Sequence, residues 1–119
     1  MADKIGSQTF VLKNPVSVLG FAAVGGKKEG EGPIGTEFDL IGEDSRFGEK
    51  TWEKAESKMQ ELAAQKALYK AKIALSDVDL HLAGDLLNQC VASAYGARGK
   101  GVPYLGLYGA CSTYAEATG

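Results

Sequence analysis

The sequence predicts an α/β domain with a mainly parallel sheet, and three observations predict it. Its 119 residues suit one small domain rather than two. Its segments alternate between β-branched, aromatic runs and runs of strong helix formers, in the order strand, helix, strand, helix, strand, helix start. Its composition, 45% hydrophobic and 24% charged, is that of a globular protein and excludes a disordered tail or a fibrous repeat.

Thr9-Phe10-Val11-Leu12 and the run Val16 to Val24 read as two strands, with Asn14-Pro15 as the turn between them. Ser17 and Gly20 interrupt the second run, which falls well short of the roughly 20 apolar residues that span a bilayer, so it reads as a buried strand. From Gly25 to Gly48 the composition turns to Gly, Lys, Glu, Asp and Pro, with Phe38, Leu40, Ile41 and Phe47 scattered through it. A structureless stretch of that length in a small domain is a functional or docking arm. Glu49 to Ile73 has no Gly or Pro, and its apolar positions, among them Trp52, Ala55, Met59, Leu62 and Tyr69, recur at helical spacing. Val78 to Ala83 reads as a short strand, Leu86 to Arg98 as a second helix stopped by Gly99 and Gly101, and Tyr104 to Tyr108 as a strand apolar on both sides. Gly109-Ala110-Cys111-Ser112-Thr113 then turns into a third helix.

Thirteen basic against fifteen acidic residues give a net charge of -2, which supplies no sequence-wide attraction to nucleic acid or an anionic membrane. The opening residues lack the apolar region of a secretory signal, so a cytosolic start and free thiols at Cys90 and Cys111 are expected. Two cysteines and one histidine at no metal-ligand spacing disfavour a zinc site.

Two glycine-rich motifs fail on context. Gly20 to Lys28 lacks the Lys-Ser/Thr ending of a phosphate loop. Gly30-Glu31-Gly32-Pro33-Ile34-Gly35 fits G-x-G-x-x-G literally, but Lys27-Lys28-Glu29 separates it from the preceding strand. His81, flanked by Leu80 and Leu82, reads as a structural histidine, and Cys90, inside a predicted helix, as a small buried hydrophobe.

In a parallel sheet, ligands gather at the carboxyl ends of the strands, which places Gly84-Asp85 and Gly109-Ala110-Cys111 on one rim. A thiol at a strand-to-helix turn is stabilised as an anion by helix N-terminal amides and can attack an acyl group. The same geometry can bind a carboxylate without chemistry, and a buried inert cysteine is equally consistent with the spacing.

Ala83-Gly84-Asp85-Leu86-Leu87-Asn88-Gln89 followed by the Gly109–Thr113 elbow, with Lys28-Glu29-Gly30, Gly32-Pro33-Ile34-Gly35 and Phe38-Asp39 upstream, resembles the N-terminal third of the stage V sporulation protein AD family. The elbow alone would point only to the wider thiolase and ketoacyl synthase superfamily. The resemblance implies the first part of a layered, thiolase-like α/β/α fold, here a single partial domain over residues 1–119 whose Gly-rich segment 25–48 is a docking loop. It implies a dipicolinate-binding component of the apparatus that moves dipicolinic acid into the developing spore, without enzymatic activity. It also implies a peripheral place on the cytoplasmic face of the spore inner membrane, other stage V sporulation membrane proteins as partners, and a homodimer. The family's pocket cysteine corresponds to Cys111 and its pocket aspartate to Asp85; Ser112 joins them as a ligand-binding residue. The remaining pocket groups, and the histidine and second cysteine of thiolases, belong to a second half. A carboxylate beside a dianion is repelled, so Asp85 either reaches the ligand through a cation, with calcium the companion implied, or fixes neighbouring amides. The alternative is an acyl-transferring enzyme with Cys111 as nucleophile.

Overall fold

The computed structural model describes residues 2–118. Strand β1 (Ala2–Ile5) pairs antiparallel with β2 (Thr9–Leu12), Ile5 opposite Thr9, in a wholly exposed hairpin. The predicted strand at Thr9–Leu12 is present, but its partner precedes it. The buried strand expected over Val16 to Val24 is corrected: only β3 (Val24–Gly25) enters a ladder, and Val16, Val18 and Phe21 are 80%, 84% and 73% exposed. β-Branched residues favour a strand only where a pleated surface receives them, and no strand among the described residues lies alongside.

The segment from Gly25 to Gly48 is not structureless. It forms a single-turn helix α1 (Lys27–Gly30), a 3-10 turn at Gly35–Glu37, and β4 (Leu40–Ile41), which pairs in parallel with β3, Gly25 opposite Ile41. Phe38 and Ile41 close over Gly25, where a Cβ would lie 2.9 Å from a Phe38 ring carbon and 2.8 Å from Ile41 Cδ1. Asp39 fastens the segment at two points: it accepts from the Ala23 amide at 2.9 Å and from Lys70 Nζ at 2.8 Å. These contacts hold its carboxyl below the ordinary range.

The long helix predicted from Glu49 to Ile73 is α2 (Trp52–Ala71). Thr51 caps it by accepting from the Lys54 amide at 3.3 Å, and Lys72, in the left-handed region at φ 57°, ends it. After a 3-10 turn at Leu75–Asp77 come β5 (His81–Ala83), α3 (Val91–Ala97) and β6 (Tyr104–Gly106). A 3-10 turn at Ala110–Ser112 leads into α4 (Thr113–Thr118). Strands β5 and β6 are parallel, His81 opposite Tyr104 and Ala83 opposite Gly106, and the Leu107 amide extends the ladder to the Ala83 carbonyl at 2.9 Å. The predicted parallel pairing around α3 is therefore present. The single layered sheet is not: β1-β2, β3-β4 and β5-β6 form three separate two-stranded sheets. Residues 16–22, which could have widened one of them, pair with none, while Ala23 extends the β3-β4 ladder by one bond, its carbonyl accepting from the Asp39 amide at 2.9 Å.

Helix α3 is shorter than predicted because Gln89 and Cys90 adopt φ 53° and 62°, which breaks the helix begun by propensity alone at Leu86. Cys90 is thus the residue that caps α3 rather than an interior position, and it is half-buried. Small residues let α2 and α3 approach closely: Ala55, Ala92, Ser93 and Ala97 are buried, and Ser57 Oγ donates to the Ala92 carbonyl at 2.6 Å.

Gly84 joins the β5 exit to the β6 exit. A Cβ there would run into the Leu107 carbonyl oxygen and stand 2.8 Å from Thr113 Cγ2. Gly84→Ala should accordingly destabilise the chain by about 1–3 kcal/mol through overpacking. Urea unfolding measures this, and an unchanged midpoint would refute so tight a crossing.

Candidate functional site

Asp85 leaves the β5 exit and turns its carboxylate inward. It is only 5% exposed, a costly place for a charge unless donors surround it. They do: Oδ1 accepts from the Asn88 amide at 3.0 Å, and Oδ2 accepts from the Ser93 amide at 3.0 Å and Ser93 Oγ at 3.1 Å. Desolvation pushes this carboxyl up, but the bonds from Ser93 and Asn88 outweigh it, and Asp85 titrates below the ordinary carboxylate range. Ser93 Oγ also lies 2.7 Å from Tyr104 Oη, and with the Ser93 proton on Asp85 the single phenol proton is shared between Ser93 Oγ and the Ala83 carbonyl at 3.2 Å. One polar cluster therefore ties β5, α3 and β6 together. Desolvation raises the Tyr104 phenol, and His81 packs edge-on against that ring at 5.6 Å with its pKa lowered by burial, in keeping with a structural histidine.

The elbow after β6 is built differently. Ala110 sits at φ 48°, the left-handed region that an alanine occupies at a cost of roughly 1 kcal/mol, and this kink presents Cys111 to solvent. The Ser112 amide is not free for a ligand: its N–H donates to the Gly109 carbonyl at 2.8 Å. The Ser112 hydroxyl lies between the Gly109 carbonyl at 2.7 Å and Glu116 Oε1 at 2.8 Å, so its single proton serves one acceptor at a time. Glu116, which sequence reasoning passed over, brings a carboxylate onto the elbow from one turn along α4. The serine-to-glutamate spacing of four residues was the available signal.

The rim is shared, since Gly84 abuts Leu107 and Thr113. The side chains diverge on it: Asp85 is buried toward α3 and Cys111 is exposed. A cavity of about 810 Å³ lies between α1, α2 and the Leu86-Leu87 turn, walled by Val24, Phe38, Trp52 and Met59, and neither Asp85 nor Cys111 lines it. Nor do they line the cavities of about 660 Å³ and 540 Å³ beside α3. Gly30–Gly35 runs out of α1 rather than into a helix from a strand, which accords with rejecting it as a dinucleotide loop. Among the described residues no group of three or more His, Cys, Asp or Glu side chains could hold a metal ion, and both Asp85 oxygens already have donors, so the residues present do not fit a calcium cage.

The profile of the stage V sporulation protein AD family matches residues 6–119. The chain belongs to that family. It is similar to stage V sporulation protein AD of Bacillus subtilis (strain 168), 42% identical over 111 residues that cover 93% of this chain and 33% of the relative. It thus spans about a third of the length of the curated relative it matches. Members of the stage V sporulation protein AD family are sporulation proteins, which places the chain in a spore-forming bacterium. No helix among the described residues is long and apolar enough to cross a membrane.

The Asp85 cluster has a definite acid signature. A carboxyl with a lowered folded pKa contributes stability that is present above its unfolded value, near 3.8, and lost as pH falls through the folded one. Asp85→Asn should flatten this acid limb in urea unfolding followed against pH. Ser93→Ala, which leaves Oδ2 with fewer donors in a buried site, should cost about 1–3 kcal/mol at neutral pH. A Ser93→Ala variant as stable as the parent would show that the cluster does not hold α3.

Proposed function

We propose that the chain forms part of a dipicolinate-binding protein of the sporulation apparatus, with the rim between Gly84-Asp85 and the Gly109–Ser112 elbow contributing to the ligand pocket. The observation that carries this reading is the crossing of two loops, each bearing part of the family motif, at the carboxyl ends of the parallel pair β5 and β6. In this reading Cys111 and Ser112 face the ligand, and Asp85 works by fixing amides rather than by touching a dianion. The carboxylate of Glu116 stands on the elbow, so a ligand carboxylate must displace it from Ser112. Calcium enters only as a counter-ion arriving with dipicolinate. The longer protein would complete a thiolase-like fold and supply the rest of the pocket.

The assembly reading follows from the same strands. Among the described residues β6 pairs with β5 alone, and Leu105 and Tyr108 are exposed, so its free edge suits pairing with a second copy. The Gly25–Gly48 segment serves as the docking element for stage V membrane proteins at the cytoplasmic face of the spore inner membrane.

An acyl-transfer reading is favoured by one feature, the exposed thiol beside the kinked Ala110. Calorimetric titration of the full-length protein with dipicolinate, with and without calcium, separates the two. Cys111→Ala should weaken binding about tenfold, the ~1.4 kcal/mol of one good contact, and Glu116→Gln should strengthen it severalfold. Equal affinity for parent and both variants removes the elbow from the site. Mass analysis after incubation with acyl-coenzyme A completes the test, since an acyl adduct on Cys111 would establish the enzyme instead.

A further inference from the structure

Two buried oxygens remain without a hydrogen-bond donor among the described residues: Glu56 Oε2 and Gln60 Oε1. Both belong to α2, and their spacing of four residues puts them on one face, a turn apart. Buried acceptors without donors are rare in folded proteins because each forfeits its hydration for nothing. Gln60 Nε2 donates to the Gly84 carbonyl at 3.2 Å, and since a carbonyl only accepts, the amide nitrogen must face Gly84 and the amide oxygen must face elsewhere. Glu56 lines the same cavity wall as Leu86 and feels the Asp85 charge. Two acceptors cannot satisfy each other unless one carries a proton, and only the carboxyl can take one.

We propose that Glu56 is a neutral acid that donates its proton to Gln60 Oε1, and that this pair positions the Gly84–Leu86 rim from beneath. One proton then satisfies both oxygens, while Gln60 holds the Gly84 carbonyl. The charged surroundings agree. Asp85 on the β5 exit and Glu53 on the same helix are negative, Glu29 faces the shared cavity from α1, and Lys27 and Lys28 lie at that cavity's exposed rim. Burial, then the charges of Asp85 and Glu53, push the Glu56 carboxyl up, against the pull of the Leu86 amide. Glu56 and Gln60 are positioning residues, and this role does not depend on which ligand the rim takes.

The sign of the pH dependence follows. A carboxyl with a raised folded pKa contributes stability that is complete below its unfolded value, near 4.5, and lost as pH rises through the folded one. Each unit of elevation changes the folded-to-unfolded ratio about tenfold. Asp85 gives the opposite slope, at the acid end, so the two are separable. Urea unfolding of the chain is followed by fluorescence of its single tryptophan, Trp52, one turn from Glu56, from pH 4 to 8. Glu56→Gln replaces the O–H donor by a permanent N–H donor. The parent should lose stability as pH rises, whereas Glu56→Gln should stay flat and at neutral pH be at least as stable. In infrared difference spectra the parent should keep one neutral carboxylic-acid band at pH values where solvent-exposed carboxyls are ionised, and Glu56→Gln should lack it. Parallel pH profiles for both proteins, a Glu56→Gln variant weaker at neutral pH, or absence of that band would each overturn the proposal.

Discussion

A carboxylate taken out of water has to be met by donors, and in this chain that requirement falls on Asp85. Its two oxygens collect the amides of Asn88 and Ser93 and the Ser93 hydroxyl, and in doing so they fix where α3 begins. The tight residues Gln89 and Cys90 and the approach of Tyr104 all follow from that geometry. The centre of the molecule is accordingly polar: Asp85 and Ser93 are as buried as the alanines that let α2 and α3 touch.

Around this cluster the rim divides into two regimes. Beneath Gly84–Leu86 the groups are desolvated: burial and neighbouring carboxyls raise Glu56, while amide and hydroxyl donors outweigh burial at Asp85 and lower it. At the elbow after β6 the groups are in solvent, where Cys111 stands open and Ser112 is shared between a carbonyl and Glu116. A rim with one rigid, buried side and one open side is suited to presenting a side chain to a ligand while holding its backbone still. The 3-10 turn and short α4 contribute orientation rather than a strong dipole, since a helix of so few residues sums few peptide units.

The apolar surface tells a complementary story. Phe10, Val16, Val18, Leu19 and Phe21 are exposed along the N-terminal segment, and Leu105, Tyr108 and Tyr114 along the β6 side. Exposure of so many large apolar side chains marks contact surface.

Local pattern by itself determined the elements whose stability is local. Helix α2 was legible from uninterrupted helix formers, and Thr9–Leu12, His81–Ala83 and Tyr104–Gly106 from β-branched and aromatic runs, because propensity and period act within a few residues. The shared rim was legible too, since parallel strands send both exits to one end. Tertiary structure alone decided the rest: that Val16 to Ala22 finds no sheet neighbour, that the Gly25–Gly48 segment folds back through Asp39 and Lys70, and that Asp85 turns inward while Cys111 turns out. The partners that settled these, Lys70, Ser93 and Tyr104, lie on other elements of the chain, and no local pattern encodes which buried donor will meet which acceptor.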